Sequence, residues 1–111
     1  MKKGFRNYNF DFDKNERRIL STFCKQVIKQ TGGDQKYYPV EKAFAGILAK
    51  LDSGEDTIRL TKDEYMRLAE HLKENIRHLK TKIDKTWFLM KWLYKSMLNQ
   101  YQLMLNTHFK D

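Results

Sequence analysis

YMRLAEHLKENIRHLKTKIDKTWFLMKWLYKSMLNQYQLMLNTH, Tyr65 to His108, contains neither Gly nor Pro. Within it Tyr65, Leu68, Leu72, Ile76, Leu79, Ile83, Trp87, Met90, Tyr94, Met97, Tyr101, Met104 and His108 recur at three- and four-residue steps. That spacing brings side chains to one face of an α-helix. Two arrangements satisfy it. One is a continuous helix from about residue 62 to residue 109. The other is a pair of helices with a break near residues 80–85, where Asp84 can cap a new start and Thr81 and Thr86 are mediocre helix formers.

The start of this region is better marked than its middle. Thr61 precedes Glu64 by three residues, the spacing of a reciprocal capping box, and Leu60 and Tyr65 stand where a hydrophobic staple forms. The same grammar recurs upstream. Asp13 and Glu16 form a second capping box ahead of Ile19, Leu20, Phe23, Cys24, Val27 and Ile28, which share one face of a helix closing near Thr31, Gly32 and Gly33. Pro39 suits the first position of another helix, whose buried stripe is Val40, Phe44, Ile47, Leu48 and Leu51 and whose end is Gly54. Before Asp13, Tyr8, Phe10 and Phe12 alternate with polar residues, as in an extended segment that lays one aromatic face on something. Thr57 to Leu60 forms a second short extended piece.

These elements predict an all-α fold: a small bundle of three to four helices, the C-terminal one or two long, with an extended aromatic N-terminal arm over residues 1–12. The chain has 111 residues, 41% hydrophobic and 32% charged, with one Pro and five Gly. That size supports one domain over residues 1–111, and the composition is too apolar for disorder and too poor in turn residues for a β-sandwich.

The net charge of +8 directs long-range attraction toward anions such as nucleic acid, acidic proteins or anionic lipid. Cys24, the single cysteine, allows no intramolecular disulfide, which fits a reducing, cytoplasmic setting. MKKGFRNYNFDFD has no apolar run of the length an export signal needs, and none is expected.

TWFLMKWLYKSMLNQYQLML, Thr86 to Leu105, is rich in large apolar side chains. Lys91, Lys95, Asn99, Gln100 and Gln102 interrupt it, so it is no transmembrane segment. On a helical wheel Trp87, Met90, Tyr94, Met97 and Tyr101 share one face, while Phe88, Leu89 and Trp92 leave from the other. A helix apolar on all sides is normally covered on all sides. Either this is the central bundle helix, or Phe88, Leu89, Trp92 and Leu103 meet a protein partner or a second copy of the chain, since aromatic and Met side chains are enriched in interface cores.

The alternative function is a nucleic-acid-binding module. Lys73, Arg77 and Lys80 recur at i, i+4 and i+7, and Lys91 and Lys95 prolong the row if the helix is continuous. A basic row of this kind tracks phosphates without reading bases. His71 and His78 stand two turns apart, about 10 Å along a helix axis, too far to hold one metal ion with Glu74. Glu74 and His78 are expected as an ordinary surface pair. The chain shows no Gly-rich phosphate loop and no nucleophile elbow. The expectation is a non-enzymatic interaction protein without cofactor or metal.

Overall fold

The computed structural model describes residues 8–85 and 88–109, with side chains placed for 8–82 and 94–109. Four α-helices and two short strands make up the described chain, in the order β1 (Tyr8–Phe10), α1 (Lys14–Thr31), α2 (Tyr38–Leu51), β2 (Ile58–Leu60), α3 (Lys62–Lys85) and α4 (Phe88–His108). Two compact units are present, Met1–Leu68 and Ala69–Asp111, and the boundary between them falls inside α3.

In the first unit α1 begins at the expected box. The Asp13 carboxylate accepts from the Glu16 amide at 2.7 Å, and the Glu16 carboxylate accepts from the Asp13 amide at 3.0 Å. It ends where Gly32 donates to the Ile28 carbonyl, followed by Gly33 at φ +86°, a conformation that favours glycine. Leu20, Phe23, Cys24 and Val27 are its buried face. The face packs on α2, whose buried residues are Ala43, Phe44, Ile47 and Leu51, and the rings of Phe23 and Phe44 meet edge-on at 6.3 Å.

Both ends of α2 differ from the sequence expectation. The Asp34 side chain accepts from the Lys36 amide and nucleates a 3-10 turn, Gln35–Tyr37, which starts the helix at Tyr38 and makes Pro39 its second residue. At the other end Asp52 takes the cap after Leu51, and Gly54, at φ +84°, serves the turn beyond it.

The aromatic arm is a strand. β1 pairs antiparallel with β2 in the register Tyr8 with Leu60, Asn9 with Arg59 and Phe10 with Ile58. Ile58 and Leu60 point inward and are buried, while Arg59 points out. Phe10 and Phe12 are buried and stacked at 5.1 Å, and the Tyr8 ring lies parallel to that of Tyr65 at 4.1 Å. The arm is thereby built into the first unit through β2 and the start of α3. That start is the second expected box, with Thr61 and Glu64 exchanging bonds of 3.0 and 3.1 Å.

Arg17 joins three segments of this unit. Its guanidinium donates to the carbonyls of Phe12 at 3.2 Å, Leu51 at 3.4 Å and Asp56 at 2.8 Å, and also to that of Glu55. The Leu51 carbonyl belongs to the last turn of α2, where no intrahelical amide reaches it.

In the second unit Leu72, Ile76 and Leu79 of α3 and Tyr101 and Met104 of α4 are buried, in agreement with the apolar period. The continuous-helix arrangement is excluded by Lys82, whose Nζ lies 5.7 Å from the centroid of the Tyr94 ring. In one straight helix twelve residues separate two Cα atoms by about 18 Å along the axis and turn their side chains about 120° apart. No Lys and Tyr bridge that gap, so α3 and α4 are two helices. α3 nevertheless runs through residues 80–85 to Lys85, so the break expected there does not occur and Asp84 lies inside α3 instead of capping a new start.

Candidate interaction surface

The described part of α4 has two unlike faces. Tyr101 and Met104 are buried, and Tyr94, Met97 and His108, on the same side, are half-buried. Leu103 points about 160° away from Tyr101 and about 100° away from Met104 around the axis and is 68% exposed. It is surrounded on the helix surface by Asn99, Gln100, Asn106 and Thr107, all exposed and none charged. An exposed Leu alone needs no explanation; its register gives it meaning. α4 is helical from Phe88 onward, so at 3.6 residues per turn Phe88, Leu89 and Trp92 fall within about 60° of Leu103 around the axis. The side chains of Phe88, Leu89 and Trp92 lie outside the described residues. Of the four expected contact residues, Leu103 is the one whose exposure the structure gives.

The basic row stands on α3. Lys73, Arg77 and Lys80 are exposed and span an arc of about 60°. Arg77 is engaged with Glu74: Nη2 is 2.6 Å and Nε 2.8 Å from Oε1. Glu74 thus pairs one turn on with Arg77 rather than with His78. Both side chains are about two-thirds exposed, so the pair contributes little to stability and exchanges readily with other ions. Lys95 is exposed on α4, and the side chain of Lys91 lies outside the described residues. Because α4 is a separate helix, the period of α3 does not extend to these two lysines. From Ala69 onward eight Lys and Arg face four Asp and Glu, so half of the net charge arises in each unit.

Cys24 is fully buried, and burial, with the Asp52 carboxylate adding to it, pushes its thiol up to about 12. A thiol held protonated in this way is no nucleophile. Among the described residues no group of three His, Cys, Asp or Glu side chains is placed to hold a metal ion, and no helix is long and apolar enough to cross a membrane. Compared with protein-family models, curated proteins and solved structures, the chain matches none.

Proposed function

We propose that this chain is a non-enzymatic, cytoplasmic helical interaction protein. It binds a protein partner, or a second copy of itself, through the face of α4 that carries Leu103 and, in register with it, Phe88, Leu89 and Trp92. The observation that carries the reading is the 68% exposure of Leu103 on a side of α4 turned away from its buried residues. The uncharged surroundings of Leu103, on a chain of net charge +8, support it further, since they add no repulsion of their own when another surface approaches; Lys95 stands nearer the Phe88 and Trp92 end of the face.

The test is sedimentation of the wild type beside Leu103→Glu and Phe88→Ser/Trp92→Ser, with affinity capture by the same three proteins. Leu103→Glu alters an exposed position and leaves the helical circular dichroism unchanged, while it abolishes self-association or the capture of a specific partner. A wild type that stays monomeric at high micromolar concentration and captures nothing that Leu103→Glu loses sinks the reading.

The exposure of Lys73, Arg77 and Lys80 in one row supports a second reading, phosphate-backbone contact with nucleic acid. Affinity then falls steeply with salt, and neutralising the three together lowers the salt slope by about three units at most. Salt-resistant or strongly sequence-specific binding would exclude this row as the surface.

A further inference from the structure

An open groove of about 720 Å³ runs beside β2 in the first unit. One wall is α2, through Gly46, Ala49 and Lys50, and the other is Thr57, Ile58 and Arg59. No residue of β1 lines it, so it borders the edge of β2 that β1 leaves open. Along that edge Ile58, Arg59 and Leu60 make no backbone hydrogen bond to any described residue outside β1. An unpaired strand edge accepts another strand, whose main chain supplies the missing donors and acceptors. The α2 wall leaves space for one at Ala49, which is small and exposed, while the Glu64 carboxylate stands against Gly46.

The charge of the groove selects the occupant. Arg59 is exposed at the centre of the three-residue strand and has no ion-pair or hydrogen-bond partner among the described residues. Lys50 is already held by Glu64 at 2.6 Å. Glu55 lies at the turn end of the groove, which places the attraction for an acid at Arg59. A second copy is disfavoured: β2 paired with β2 about its centre sets Arg59 opposite Arg59, and like charges directly across a ladder destabilise it.

We infer that the groove between α2 and β2 binds an extended acidic peptide segment of another protein by strand addition, with a carboxylate facing Arg59. This surface is separate from the α4 face and does not depend on it.

The experiment is nuclear magnetic resonance titration of the full chain with two blocked hexapeptides, one alternating valine with glutamate and one alternating valine with lysine. The glutamate peptide binds with Kd below about 1 mM and at least about tenfold more tightly than the lysine peptide. Backbone amides within residues 58–60 gain protection from hydrogen exchange. Ala49→Trp, at an exposed position that fills the groove without entering the core, weakens binding at least about tenfold while its circular dichroism is unchanged. Arg59→Glu reverses the preference between the two peptides. Absence of binding at about 1 mM, equal binding of both peptides, or binding that Ala49→Trp leaves intact overturns the proposal. So does an Arg59→Glu effect without amide protection, which would be adsorption to surface charge alone.

Discussion

The ammonium of Lys82 and the ring of Tyr94 meet at 5.7 Å, although twelve residues separate them in sequence. The contact ties the end of α3 to the first half of α4 and distinguishes two helices from one. At exposed sites a cation over an aromatic face is worth about 0.5–1 kcal/mol. A double-mutant cycle with Lys82→Met and Tyr94→Leu, read by denaturant unfolding, is therefore expected to show coupling of about that size. Strictly additive losses would mean that the pair does not meet in solution.

Phe44 is fully buried where α2 packs on α1, against the edge of Phe23. Phe44→Ala removes the ring and leaves a cavity, and a loss of about 3–5 kcal/mol in unfolding free energy is expected. A loss below about 1 kcal/mol would take the ring out of the core.

Arg17 serves four carbonyls from three segments. Arg17→Met keeps the aliphatic stem and strands these acceptors, at an expected cost of about 1–3 kcal/mol. Arg17→Lys is expected to recover less than half of that, because a compact ammonium cannot span carbonyls that a planar fork reaches together. Full recovery by lysine would reduce the role of Arg17 to charge.

A Cβ at Gly46 would lie 2.7 Å from Oε2 of Glu64, whose other oxygen is bonded to Lys50 and to the Thr61 amide. In a helix interior alanine is favoured over glycine by about 1 kcal/mol. Gly46→Ala gains that amount only if the carboxylate is removed. We expect it to stabilise a Glu64→Ala protein and to be neutral or destabilising in the wild type, with coupling of at least about 0.5 kcal/mol between the two positions. Equal effects in both backgrounds would show that the carboxylate moves aside freely.

Cys24 gives stability a dependence on alkaline pH. The folded thiol stays protonated up to about 12, while the unfolded one ionises near the ordinary value of 9.0. Its contribution is complete below 9.0 and is lost as the pH rises from there toward 12. Burial raises the Tyr101 hydroxyl above its ordinary 10.0 as well, so the two groups act in the same direction. Unfolding midpoints measured from pH 8 to 11 should fall, less so in Cys24→Ala, and the native thiol should resist a thiol reagent at pH 8. Rapid modification of the native protein would place Cys24 at the surface.

The sequence by itself determined the elements whose causes are local. The boxes of Asp13 with Glu16 and Thr61 with Glu64 satisfy helix amides from three residues away, and the apolar period names Leu20, Phe44, Leu72 and Met104 because a helix turns the same way wherever it lies. The spacing of Lys73, Arg77 and Lys80 was legible for the same reason. Tertiary structure decided what depends on residues far apart in the chain. Alternation marks Tyr8 to Phe10 as extended, but its register with Ile58 to Leu60 is set by which faces of the two strands are buried, and these lie about fifty residues apart in the chain. The near-3.6 period runs unchanged from α3 into α4, so the doubling back that brings Lys82 to Tyr94 leaves no mark in it. Arg17 reads as one more surface cation until the turn after α2 presents its carbonyls, and Arg59 reads as the polar residue of a short strand until α2 builds the other wall of its groove. Contacts of this kind depend on where chain segments converge, and that is set by the burial of whole faces rather than by any local pattern.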